Sequence, residues 1–152
     1  MADQPSNKTF LSDLFGRIEA EADWNLLFEA LSDDIVWTVT GTSPVTGTFK
    51  GKRACVENLI LPVQQTMAEP FRCQIEQIIV EGDFAVVLWK GTSTTKTGIP
   101  YRQEYCWILE LKDQKIVSVK AFFDTLLASM ALLSCKEGHP AYSPGVPWII
   151  LS

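Results

Sequence analysis

The chain has 152 residues, of which 47% are hydrophobic and 20% charged. That length and composition fit one domain able to hide about 70% of its unfolded surface, and they exclude general disorder. A net charge of −5 argues against nucleic acid or an anionic membrane as partner, since both call for a basic patch.

Helical periodicity runs from residue 7 to residue 31. Phe10, Leu14, Phe15 and Ile18 recur at intervals of three and four, after Ser6 or Asn7 as a cap. Asp23 caps a second helix whose apolar side is Trp24, Leu27, Phe28 and Leu31. Gly16 either weakens the first helix by about 1 kcal/mol relative to alanine or allows close packing against a sheet. Asp33 and Asp34 read as helix-end and turn residues, not an acid/base pair. Ile35–Thr40 is a short strand with Ile35, Trp37 and Val39 on one face, and the Gly- and Pro-punctuated stretch from 41 to 51 reads as loop. Lys50, Lys52 and Arg53 form the solvated start of a third helix. That helix passes through Ala54, Val56, Leu59 and Ile60 and is expected to end or kink at Pro62, because proline lacks the donor and clashes with the preceding turn.

Phe71–Glu81 and Phe84–Thr94 form a hairpin about Gly82-Asp83. Its second strand, FAVVLWKG, is apolar on both faces, which suits a central strand covered on both sides. Two longer strands follow, joined at Asp113-Gln114. Along the first, Tyr101, Gln103, Tyr105, Trp107, Leu109 and Leu111 share a face, and Arg102, Glu104, Cys106, Ile108 and Glu110 share the other. A face that begins with tyrosines around a glutamine and ends in hydrocarbon resembles a pocket lining. Asp124 opens a short last helix, and residues 136–152 form an irregular Pro/Gly-containing tail after a domain spanning 1–135. Helices segregated from a mostly antiparallel sheet make the fold class α+β: a cone with an open mouth.

The N-terminus lacks the apolar stretch of a signal peptide, and no run approaches the roughly 18 apolar residues of a membrane span. Cys55, Cys73, Cys106 and Cys135 show no CxxC spacing, and with a single histidine they suggest no zinc site. A cytoplasmic protein with reduced thiols, no metal and no cofactor is expected.

The segments DDIVWTVTGTSPVTGTFKGKRAC, EGDFAVVLWKGT and GIPYRQEYCWILELKDQKIVSVKAFFDT together resemble the SnoaL-like branch of the nuclear transport factor 2-like (NTF2-like) superfamily. The resemblance covers about residues 8 to 133. Ketosteroid isomerases, limonene epoxide hydrolases and polyketide cyclases belong to the same superfamily. It implies a cone-shaped, cystatin-like fold in which N-terminal helices pack on a curved sheet around an internal cavity. The superfamily's catalytic groups do not carry over. The isomerases' basic aspartate falls at Val39, and their oxyanion-hole tyrosine and aspartic acid fall at Phe15 and Trp107. The hydrolases' carboxylate falls at Ala121, and their tyrosine and asparagine at Trp37 and Val39.

The expected ligand lining is Phe15, Trp37, Val39, Trp89, Tyr101, Trp107, Val119, Ala121 and Phe123, with Tyr105, Gln103 and Asp124 as catalytic candidates. Tyr105 and Gln103 would hold a substrate oxygen. Asp124 has a second, favoured reading as N-cap of the helix it precedes. The same lining has a bland reading as dry core. His139 reads as a surface residue of the tail. The apolar segment Pro147–Leu151 would cover the cone's mouth, add an edge strand or reach a partner subunit. The expected function is binding of a small apolar molecule by a homodimer, with an isomerase-, cyclase- or hydrolase-type step on a polycyclic or terpenoid-like substrate. The alternative is a non-catalytic binding or interaction module.

Overall fold

The computed structural model describes residues 5–132. Cys135, His139 and the tail from 136 to 152, with its Pro147–Leu151 segment, lie outside the described residues. Helix α1 (Asn7–Glu21) starts where the Ser6 hydroxyl accepts the Thr9 N–H at 3.2 Å, and it ends at Ala22 in the left-handed conformation. Its buried stripe is Leu11, Phe15 and Ile18, flanked by half-buried Phe10 and Leu14. Gly16 faces open space, with nothing within 4 Å of where a methyl group would stand, so close packing is not its role. Two long side chains tether α1 to the sheet: Glu19 accepts the Ile75 N–H at 2.7 Å, and Lys8 donates to the Ile78 carbonyl.

Helix α2 (Asn25–Ala30) passes directly into β1 (Leu31–Val39). Asp33 and Asp34 are therefore strand residues, contrary to the expectation of a turn. Leu31 and Ile35 are both buried, and an irregularity between Leu31 and Val36 keeps the strand on its partner while the two aspartates face solvent. The expected loop holds a further short strand, β2 (Gly47–Lys50), which pairs antiparallel with β1 from Val39↔Gly47 to Val36↔Lys50. Four residues are too few for alternation to reveal.

Pro62 does not end its helix either. Helix α3 (Lys52–Cys55) runs through a π-helical turn (Val56–Ile60) into α4 (Leu61–Thr66). The Leu61 N–H reaches the Val56 carbonyl, five residues back. The widened turn places Pro62 in the first turn of α4, where a missing donor costs little. The end of α4 is then fastened to the turn that begins at Thr94, with Ala68 N–H on the Thr94 carbonyl at 2.8 Å and Lys96 N–H on the Thr66 carbonyl at 2.9 Å.

The remaining strands are β3 (Arg72–Glu81), β4 (Phe84–Thr94), β5 (Pro100–Lys112) and β6 (Lys115–Phe123), followed by α5 (Thr125–Ala131). They complete a curved, unclosed six-stranded sheet in the order β2-β1-β6-β5-β4-β3. Only β1 and β6 run parallel. Asp113 and Gln114, at φ 50° and 57°, form the left-handed two-residue turn that matches strand twist. Irregular registers at Ile75/Gln77 and Glu110/Leu111 bend the long strands.

The helices cover one sheet face. On the other, Val86, Leu88, Cys106, Ile108 and Phe122 are only partly buried, and Phe84 is 55% exposed. Strand β4 is thus second from the edge and open on its outer side, not a central strand covered twice.

Candidate functional site

The strand registers bring the large residues of the concave face into rows. One row runs Ile75, Trp89, Tyr105, Phe123 across β3 to β6, and the next runs Val87, Trp107, Ala121, Val39 across β4, β5, β6 and β1. Trp89 and Tyr105 stack at 4.1 Å and 13°, while Trp107 stands edge-on to Trp37 at 5.0 Å and to Trp89 at 4.8 Å. Rigid aromatic rings cannot all meet without gaps, and Ala121 beside Trp107 leaves room. The result is a pocket of about 100 Å³ between the sheet and the helices.

Of the expected lining, Trp37, Val39, Trp89, Tyr101, Tyr105, Trp107, Ala121 and Phe123 border this pocket. Phe15 and Val119 lie behind it in the core, Phe15 edge-on to Trp107 at 6.3 Å. The helical wall is Leu27, Leu59, Ile60, Val63 and Met67, and Trp24, Val45, Phe71 and Leu132 complete it with Gln64. Sequence reading found the helix carrying Leu59 and Ile60 but not its role. The spacing of Leu59, Val63 and Met67 was the available signal. Phe71 depends on a close approach: a methyl group at Gly91 would stand 2.3 Å from its ring. Trp24, Gln64, Met67 and Phe71 also border a more polar outer cleft of about 440 Å³, so they form a wall between the two spaces.

Gln103 is fully buried but is not part of the pocket lining. Its Oε1 accepts the Asp124 N–H at 2.7 Å and the Glu104 N–H at 3.1 Å. Its Nε2 donates to the Asp124 carbonyl at 2.9 Å and to the Tyr101 hydroxyl at 3.4 Å. Two acceptor sites and two N–H groups are all that a carboxamide has. The side chain thus clips the end of β6 to β5. Asp124 accepts the Leu126 and Leu127 N–H groups, each at 3.1 Å, and is an exposed N-cap for α5. Arg102 and Glu104 are exposed, Glu104 lying 3.8 Å from Lys90.

Tyr105 keeps its place in the pocket. Enclosure of its hydroxyl, with the neighbouring Tyr101 hydroxyl bonded to it, pushes its pKa well above the usual 10. It therefore stays protonated at neutral pH and acts as a hydrogen-bonding hydroxyl, not a base. Among the described residues of the lining, tyrosine is the only titratable type. Burial also pushes the Cys73 thiol up to about 12, with Glu19 adding to the effect, and raises Cys55. Neither thiol is a nucleophile near neutrality. Among the described residues, no three His, Cys, Asp or Glu side chains gather as metal ligands. None of the described helices is long and apolar enough to cross a membrane.

Trp24 donates its indole N–H to the Phe71 carbonyl at 2.7 Å. The indole N–H groups of Trp37, Trp89 and Trp107 are buried with no hydrogen-bond partner.

Residues 13–119 match the family model of the SnoaL-like domain. An NTF2-like protein of unknown function from Burkholderia pseudomallei superposes with a TM-score of 0.70 at 20% identity, covering 85% of this chain and 98% of that one. A candidate SnoaL-like polyketide cyclase from Jannaschia sp. CCS1 gives 0.68 at 15% identity over 87% and 97% of the two chains. The protein TerC, crystallised with polyporic acid, gives 0.68 at 17% identity over 84% and 98%. No curated protein sequence matches the chain significantly.

Proposed function

The chain belongs to the SnoaL-like domain family, and from that premise we propose that it binds a compact, neutral, largely apolar molecule in the aromatic pocket. The observation that carries this reading is the lining itself: among the described residues it consists of aromatic and aliphatic side chains, one glutamine and two tyrosines, with no carboxylate, amine or imidazole. Such a surface favours transfer of an apolar molecule out of water and penalises an ion. The volume of about 100 Å³ suits a ligand near single-ring size. An apolar cavity of roughly 150 Å³ takes benzene, whereas drug-sized ligands need about 300–1,000 Å³. Crystallisation of the structurally similar TerC with polyporic acid is in keeping with small-molecule binding on this fold.

The catalytic version, an isomerase-, cyclase- or hydrolase-type step, is favoured by the likeness to a candidate polyketide cyclase. It finds Tyr105 able to hold a substrate oxygen but, among the described residues of the lining, no side chain able to take a proton near neutrality. A polycyclic or terpenoid-like substrate also exceeds the free volume. Binding therefore ranks first. The homodimer belongs to the same proposal: the outer row of Val86, Ile108, Leu88, Cys106 and Phe122 is an apolar patch that a second copy would cover. The free thiols of Cys55, Cys73 and Cys106 fit a cytoplasmic setting.

Native mass spectrometry of the protein purified from its own host, against a denatured control, tests the binding reading. A retained small molecule that is lost on denaturation is the expected result. An unoccupied protein whose melting temperature also ignores saturating apolar compounds of about five or six carbons would remove it.

A further inference from the structure

We infer that the aromatic pocket and the outer cleft are two halves of one site, which takes a single apolar ring carrying a short chain that ends in a hydrogen-bond donor and bears no negative charge. This deepens the binding reading and rests on it. Trp24, Gln64, Met67 and Phe71 border both spaces, so one layer of side chains separates them. The inner space, at about 100 Å³, has room for a ring and little more, whereas the outer one offers about 440 Å³. Their chemistry differs in the same direction. The pocket is lined by rings and hydrocarbon, and the cleft adds the polar side chains of Asp23, Asn25 and Glu69 beside the Trp24 and Phe28 rings. Asn25, Ala68, Glu69 and Pro70 at the cleft are exposed, so it opens to solvent.

The wall has a fixed half and an adjustable half. Trp24 is pinned by its N–H on the Phe71 carbonyl at 2.7 Å. The Phe71 ring is pinned by its close approach to Gly91 and by contacts with Trp24, Trp89, Tyr101 and Tyr105. Met67 is held only through its backbone, by the bridge to Thr95 and the Ala68 N–H on the Thr94 carbonyl. Its side chain is unbranched with three rotatable bonds, and it can turn aside while the backbone stays in place. Gln64 is partly buried, and its carboxamide has no hydrogen-bond partner among the described residues. It is placed to bond a polar chain that passes the wall. Asp23 and Glu69 then set the sign of the chain's end. Their oxygens accept from a hydroxyl or amide and repel an anion, and no Lys, Arg or His among the described residues of either lining offsets that repulsion.

The test adds benzene, 3-phenylpropanol and 3-phenylpropanoate in turn to the unmodified protein labelled with nitrogen-15, followed in proton–nitrogen correlation spectra. The expected result is that all ring-bound probes move pocket resonances, and that the alcohol alone also moves the Asn25 and Ala68 amides of the cleft. Its buried methylenes make it bind at least about tenfold tighter than benzene, and the acid binds at least about tenfold more weakly than the alcohol. Ala68→Trp, at an exposed position outside the pocket lining, fills the cleft and should remove the alcohol's advantage over benzene. Benzene binding with no gain for the alcohol, or with the Asn25 and Ala68 amides unmoved, overturns the two-part site and leaves the binding reading standing. Equal affinity for acid and alcohol, or an advantage that survives Ala68→Trp, overturns it as well. No response of any pocket resonance to any probe overturns the binding reading itself. Should Ala68→Trp fail to fold, the shifts and affinities in the unmodified protein still decide between these outcomes.

Discussion

Gln103 and Trp107 lie on the same face of β5, four residues apart, and treat their polar atoms in opposite ways. Both are buried. The Gln103 carboxamide makes every hydrogen bond available to it, three of them to backbone groups of Asp124 and Glu104. The Trp107 indole makes none. In a low-dielectric interior, a saturated polar group holds the fold, and an unsatisfied one costs it stability. Burial and residue type alone cannot tell these two cases apart. The partner inventory can.

The comparison can be broken most severely at Gln103. Gln103→Ala leaves the Asp124 and Glu104 N–H groups without their buried acceptor, while the Asp124 carbonyl keeps the Ala128 N–H, and is expected to cost about 3 kcal/mol in urea unfolding. A loss below about 1 kcal/mol would show that the clip is dispensable. High pH tests the enclosed hydroxyl and thiol. Cys73, raised from 9.0 to about 12, and Tyr105, raised above 10, bind their protons more tightly folded than unfolded. Their contribution is complete below pH 9 and is lost as pH climbs through the folded values. The melting temperature should hold up to pH 9 and fall beyond it, with Cys73→Ala making the fall between pH 9 and 10 shallower and Cys55 supplying the remainder. A melting curve flat from pH 8 to 11 would contradict the enclosure of both groups. The smallest effect is expected at Asp124, where Asp124→Ala removes one helix cap and about 1 kcal/mol of stability. Binding of apolar probes should be unchanged, as a carboxylate outside the pocket requires. A variant of undiminished stability and abolished binding would return Asp124 to the site.

Much of the architecture was legible from periodicity. The β3–β4 hairpin and the β5–β6 turn at Asp113-Gln114 stood out, because alternation over nine to thirteen residues is hard to produce by chance and left-handed turns demand particular residues. The same alternation placed Trp37, Val39, Trp89, Tyr105 and Trp107 on one side. Short or irregular pieces escaped. The four residues of β2 carry too little pattern, the β1 irregularity hid Asp33 and Asp34 inside a strand, and Pro62 reads as a stop unless the π turn before it is known. The helical wall of Leu59, Val63 and Met67 had its periodicity in plain view, yet nothing local says which sheet residues it faces.

The sequence by itself determined the fold class and the strand faces, since each follows from residue type and local spacing. Tertiary structure alone decided that Gln103 meets Asp124 across β5 and β6 while Trp37, Trp89 and Trp107 meet no acceptor. Hydrogen bonding is short-ranged and directional. Whether a buried polar atom is used depends on what strand register and helix packing bring within about 3 Å of it, and residues far apart in the chain supply that partner.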